Sequence, residues 1–432
     1  MDMKITAISA LEILDSRGNP TVSAKVILDN GASGQAMVPS GASTGSYEAV
    51  ELRDGDKSQY HGQGVSNAIR NITEKIAPAL IGCDAEDQQK IDETMIALDG
   101  TENKAVLGAN AILAVSLAAA RAAAAGLKQP LYQYLSKFNP DFSGKYFLPM
   151  PMMNVLNGGK HADWATDIQE YMILPIGAKN MATAVRMCAE IYQSLKKVLK
   201  AKNYSISVGD EGGFAPAVSS NAEAFELLKM ATEQSGYKLG VDIIFGIDAA
   251  ATEFYADGKY NLKKENRVLN SAELADFYGK LMAEYPIYSL EDIFAEDDWD
   301  GFQNFLRDNP NRQLVGDDLY VTNVKRLEKG IANKSSNSIL IKLNQIGTLS
   351  ETVAAILLAR KNKLTAVISH RSGETEDAFI ADLAAAMGTG QIKTGAPARA
   401  ERTAKYNRLM EIENDLGANS EFSRFPFLAT NN

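Results

Sequence analysis

The hydrophobic pattern changes period along the chain, and each change predicts an element. In "TVSAKVIL", Val22, Ala24, Val26 and Leu28 alternate with Thr21, Ser23 and Lys25, the mark of a half-buried strand. The turn-forming runs "DSRGNP" and "DNGASG" flank it, so the first forty residues read as a β-meander. Apolar positions then shift to helical spacing. Helices are predicted over about 66–81, 85–98 and 109–125, with Ile91, Met95 and Leu98 sharing one face of the second. These elements make an α+β domain expected over 1–135, with "FNPDFSGKYFLPMP" as its linker.

The grain differs over 145–432. Two apolar strands, "PMMNVLNGG" and "DIQEYMILP", precede two amphipathic helices at about 180–201 and 221–235. A unit of apolar strand, polar tip and helix then recurs six times. Its strands are "IIFGID", "IYSLED", "QLVGDD", "SILIK", "TAVISHR" and "GQIKTG". Their tips are Asp248, Glu291, Asp317, Lys342, His370 and Lys393, spaced 23–28 residues apart after a first gap of 43. A strand–helix–strand crossover takes roughly 25–30 residues, so the spacing suits consecutive βα units. Two strands plus six make eight, which predicts an α/β fold with a closed (β/α)8 barrel behind the N-terminal α+β domain. Barrel active sites lie at the C-terminal strand ends, where these six ionisable tips would converge.

Composition narrows the function. The chain of 432 residues has 44 Lys and Arg against 54 Asp and Glu, a net charge of −10. Such a chain is not built to grip a nucleic-acid backbone, so an anionic ligand must be held by a local cluster of cations or metal ions. Cys83 and Cys188 have no metal-like spacing and read as two reduced thiols. The first ten residues carry no signal-peptide pattern, and a cytoplasmic protein is expected. The most apolar helix, "GANAILAVSLAAARAAAAG", contains Arg121 and reads as a buried helix rather than a membrane span.

The tips suggest chemistry. Three carboxylates at one rim, Asp248, Glu291 and Asp317, repel one another unless a cation joins them, and hard oxygen ligands suit Mg²⁺. Lys342 and Lys393 stand beside them. A lysine desolvated near a divalent cation would have its charged form disfavoured and could serve as a neutral base. Lys342 could instead form a Schiff base or simply pair with a carboxylate. "ISHRSGETED" gathers His370, Arg371 and Ser372, and an arginine fork with hydroxyl and imidazole donors suits a small anion such as phosphate. "VGDEGGF" sets Asp210 and Glu211 in a glycine-rich loop, which is either a ligand-facing turn or two solvated acids. "VPSGASTGSYE" (38–48) lacks the Gly-Lys-Ser/Thr of a Walker A loop and reads as a mobile lid.

Taken together, "SGASTG", "NVLNGGKHA", "DIQEYMI", "GDEGGFAP", "LVGDDLYVTN", "ILIKLNQIG", "ISHRSGETED" and "IKTGAPARAERTAKYN" resemble the enolase (phosphopyruvate hydratase) family, bacterial type, from "DSRGNPTV" to about Glu413. The resemblance implies a barrel of ββαα(βα)6 order and a lyase of glycolysis and gluconeogenesis that interconverts 2-phospho-D-glycerate and phosphoenolpyruvate. It implies two Mg²⁺ per site, the first on Asp248, Glu291 and Asp317, the second on Ser40 with the phosphate. By the same resemblance Lys342 takes the C2 proton and Glu211 protonates the leaving hydroxyl, with Glu170 and His161 beside it. Ser40, His161, Gln169, Glu170, Lys342, His370, Arg371, Ser372 and Lys393 are the implied substrate contacts. A homodimer that can assemble further, protein partners in secondary roles and a second pool at the cell surface are also implied. Three features depart from the family pattern. Trp164 and Thr166 stand near His161 where Asn and an aliphatic residue are expected, Ser23 replaces an acid near the subunit contact, and the tail lacks a terminal lysine. Two other readings remain: a related dehydratase or racemase acting on another carboxylate, and a binding or scaffold role on the same fold.

Overall fold

The computed structural model describes residues 3–42, 45–162 and 164–428, with the side chain of His161 outside the description. Strands β1 (Ile5–Leu14), β2 (Pro20–Leu28) and β3 (Ser33–Met37) form an antiparallel sheet in that order. The alanine-rich helix Ala109–Gly126 lies on β2 and β3 and is buried along most of its length, as its composition predicted. Gly34 allows this close approach: a Cβ there would stand 2.2 Å from the Ala122 nitrogen and 2.3 Å from the Ala118 carbonyl. Arg121 leaves the helix to form a fork of two 2.7 Å bonds with Asp377 of the barrel.

Eight strands close the barrel: β4 (Met150–Asn157), β5 (Glu170–Leu174), β6 (Ile244–Asp248), β7 (Ile287–Glu291), β8 (Gln313–Gly316), β9 (Ser338–Ile341), β10 (Thr365–Ser369) and β11 (Gly390–Lys393). The six repeats and the two leading strands are all present. β5 runs antiparallel to both β4 and β6, with Glu170 opposite Asn157 and Asp248. This reversal brings the first residue of β5 to the rim where the other strands end. The two following helices, Met181–Ala201 and Asn221–Gln234, begin at side-chain caps from Asn180 and Ser220.

Two segments differ from the pattern reading. The long gap before Glu291 holds a three-stranded antiparallel ribbon (Tyr255–Ala256, Lys259–Leu262, Arg267–Leu269) ahead of the helix Ser271–Glu284. Part of the linker is a strand, Tyr146–Leu148, which pairs in parallel with Ser420–Phe422. Both strands are too short for periodicity to register, and the second pairing joins segments distant in sequence.

Candidate active site

Asp248, Glu291 and Lys393 end β6, β7 and β11, while Asp317, Lys342 and His370 each follow the last residue of β8, β9 and β10. The pleat explains their aim. In β9, Leu340 joins the cluster inside the barrel while Ile339 and Ile341 pack outward, so the period of two returns Lys342 to the inner side. Five of the six line one cavity with Gln169, Glu170, Glu211, Arg371 and Ser372, and Glu291 joins it through Lys393.

Lys393 is the hub. Its Nζ stands 2.7 Å from Glu291, 3.0 Å from Asp248 and 3.2 Å from Glu170. Burial disfavours its ammonium, but the three carboxylates outweigh this and hold its pKa well above the ordinary lysine value. Lys342 Nζ lies 2.5 Å from Asp317. Burial alone would lower its pKa, as the sequence reading expected. The Asp317 carboxylate reverses that and pushes Lys342 up to about 12, so the protein's own groups keep this lysine charged. Asp317 is held below the usual carboxylate range despite burial, by Lys342 above all. Glu170 and Glu291 go the other way: burial raises both, and neighbouring carboxylates add to it.

The site therefore carries more acid than its cations balance. Glu170, Glu211, Asp248, Asp292, Asp317 and Asp318 line the cavity, against Lys342, Arg371 and Lys393. Asp292 and Asp318 were not singled out in the sequence, although each follows a strand-end acid, in "SLED" and "GDD". Oxygens of Asp292, Asp317 and Asp318 lie within 4.8 Å of one another. The oxygens of Asp292 accept the backbone N–H of Asp317 (2.8 Å) and Asp318 (2.7 Å), which pins the end of β8. Asp248, Glu291 and Asp317 accept hydrogen bonds too, from the Ala250 N–H, Lys393, Lys342 and Gln345. Glu291 Oε2, Glu170 Oε2 and Gln169 Oε1 are buried and have no hydrogen-bond partner among the described residues. Unpartnered oxygens amid excess negative charge fit a divalent cation.

The opposite side is basic. Arg371 forms a fork with Glu48 (2.8 and 3.1 Å) and bonds Asn344 at 2.9 Å. Ser372 Oγ accepts the backbone N–H of Ala42 at 2.6 Å, and Ser40 and Gly373 exchange two backbone hydrogen bonds. The 38–48 loop, of which Ser43 and Thr44 lie outside the described residues, thus rests against the His370–Ser372 loop. The Ser40 hydroxyl bonds Glu51 and Arg53, each at 3.0 Å. The hydroxyl is thus partnered with Glu51 and Arg53 rather than with the strand-end carboxylates. Glu211 accepts a bond from Asn154 at 2.9 Å, and its other oxygen faces His370 Nε2 at 3.5 Å. Glu48, Asn344 and Asn154 escaped the sequence reading because their partners lie far away in the chain.

Near the expected position of His161, whose side chain is not described, Trp164 adopts φ 59° and stacks under Lys263 at 5.3 Å, while Thr166 is buried and donates to the Ile168 carbonyl at 2.6 Å. The Ser23 hydroxyl is likewise partnered, accepting from Gln35 at 2.9 Å.

Two family models together account for most of the chain. Residues 5–135 match the family described as enolase, N-terminal domain, and residues 145–429 match enolase, C-terminal TIM barrel domain.

Proposed function

The chain belongs to the enolase family, and we propose that within it the protein performs the reversible, Mg²⁺-dependent dehydration of 2-phospho-D-glycerate to phosphoenolpyruvate. One observation carries the reading. Lys342, Glu211 and the pair Arg371 and Ser372 line one cavity around a carboxylate cluster that fits a divalent cation. Sites of this superfamily combine a lysine or histidine base with one or two Mg²⁺ ions.

Asp248, Glu291 and Asp317 would hold Mg²⁺. Bound there, the ion would supply positive charge beside the substrate carboxylate and, by neutralising Asp317, would remove the contact that keeps Lys342 charged. The Lys342 amine takes the proton from C2, leaving the electron pair of that C–H bond on the substrate carboxylate. Glu211 delivers a proton to the C3 hydroxyl as the C3–O bond breaks and the C2–C3 double bond forms. Lys393 steadies the negative charge that develops, and Arg371, its fork exchanged from Glu48 to the phosphate, holds that anion with the Ser372 hydroxyl. The anion pair favours a phosphorylated substrate over the carboxylates used by other dehydratases and racemases of the superfamily. Two unpaired thiols suit a cytoplasmic setting. The exposed Leu11 and Leu14 on edge strand β1 suit a homodimer contact.

Purified protein with 2-phosphoglycerate and Mg²⁺ should produce the ultraviolet absorbance of an enol phosphate, and a chelator should stop it. Folded protein that yields no such absorbance would contradict the reading.

A further inference from the structure

Arg402 is fully buried and meets no carboxylate at hydrogen-bond distance among the described residues. It lies in the first turn of the helix Ala400–Leu416. Gly395 makes room for its stem, since a Cβ there would stand 2.9 Å from Arg402 Cδ. Each of the four Nη protons has one acceptor. Nη1 reaches the Arg371 carbonyl and His370 Nδ1, both at 2.6 Å, and Nη2 reaches the carbonyls of Ser372 (2.5 Å) and Asp210 (3.0 Å).

The bond to His370 has a chemical consequence. A guanidinium is always protonated and only donates. Nδ1 of His370 must therefore present a lone pair, and the one proton of a neutral imidazole must sit on Nε2. Nε2 is the nitrogen that faces Glu211 Oε1 at 3.5 Å. An imidazolium would set two N–H groups against each other at Nδ1. Consistently, burial first, then the charges of Arg402 and Lys393, push His370 down to about 3 against the pull of Glu211.

We propose that Arg402 is a positioning residue that holds His370 as the Nε2–H tautomer, a fixed donor toward Glu211, and stitches the Asp210–Glu211 loop to the His370–Ser372 loop. The effect on turnover rests on the reading of Glu211 as proton donor; the tautomer does not.

The chain has only three histidines, so a protein labelled with [¹⁵N]histidine gives a spectrum that can be assigned, with His370→Gln identifying the His370 signals. At pH 7 the wild type should show a proton-bearing Nε2 and an unprotonated Nδ1 at His370. An Nδ1–H form, averaging tautomers or an imidazolium would overturn the proposal, whether or not any variant folds. Arg402→Met should mix the tautomers and lower kcat by about 10–100-fold, the range typical of partners that orient a working histidine, with Arg402→Lys restoring part of both. Arg402→Met that keeps the tautomer and the wild-type kcat would also overturn it. A wild type with the Nε2–H tautomer but no hydro-lyase activity would overturn the functional reading and leave the positioning role standing.

Discussion

The two ends of the barrel treat buried polar groups in opposite ways. At the end away from the rim, Gln313 and Gln391 exchange hydrogen bonds of 2.7 and 3.0 Å, and Gln313 also reaches Ser338 and Thr365, each at 3.1 Å. Above them Met152, Met172, Leu340 and Val367 fill the interior, sealed by Phe425. At the rim, one carboxylate oxygen each of Glu170 and Glu291 lacks a hydrogen-bond partner among the described residues, and like charges crowd together. One end spends its polar groups on itself; the other withholds them for a ligand. Buried polar atoms without partners cost stability, so their concentration at one end marks where function overrides it.

Substitutions should separate the two ends, the largest effect first. Glu211→Gln removes the proposed acid and should lower dehydration by about 10²–10⁴-fold while leaving C2 proton exchange in place. Equal loss of both activities would move the acid elsewhere.

Asp92 asks whether partners alone make a buried acid comfortable. It is fully buried where the helix Gln88–Asp99 meets the helix Leu349–Lys361, and it accepts from Gln88 at 3.0 Å and from the Ser350 N–H at 2.9 Å. Burial still pushes its pKa up to about 6. The folded protein then keeps a proton that the unfolded chain has lost above about pH 4. Stability from this group is full below that pH, declines through about pH 6 and stays lost above it, by about 3 kcal/mol. Asp92→Asn should flatten stability between about pH 4 and 6 in denaturant melts; an unchanged slope would show that this carboxyl ionises freely in the fold.

Gln391→Leu strands Gln313 without its partner and should cost about 1–3 kcal/mol with little change in kcat. Asp318→Asn at the rim should do the reverse. Burial and then Asp317 hold the Asp318 carboxyl well above its usual range, so neutralising it should raise the Tm of chelator-treated protein while activity falls. If both substitutions destabilised alike, the contrast between the ends would fail.

Much of the rim was legible because a strand tip is a local feature: Asp248, Glu291, Asp317, Lys342, His370 and Lys393 each close an apolar run. Glu170 was legible only through resemblance, because its strand runs backwards and it stands at the start of an apolar run. Glu48 closes the quoted loop 38–48, but its role was not legible. Its partner Arg371 lies 323 residues away on the other domain, and no periodicity reports such a pairing. Arg402 stood inside a quoted motif, but its role is written in carbonyls of two distant loops. Pairing of Lys342 with a carboxylate was one of the readings open in the sequence, and the partner, Asp317, comes from the neighbouring strand end and outweighs desolvation.

The most direct test is hydrogen exchange at C2 of 2-phosphoglycerate in heavy water with Mg²⁺, followed by NMR for the wild type and Lys342→Ala. Wild-type protein should exchange that proton, and the folded variant should not. Exchange in Lys342→Ala at the wild-type rate would contradict the account and place the base on another residue.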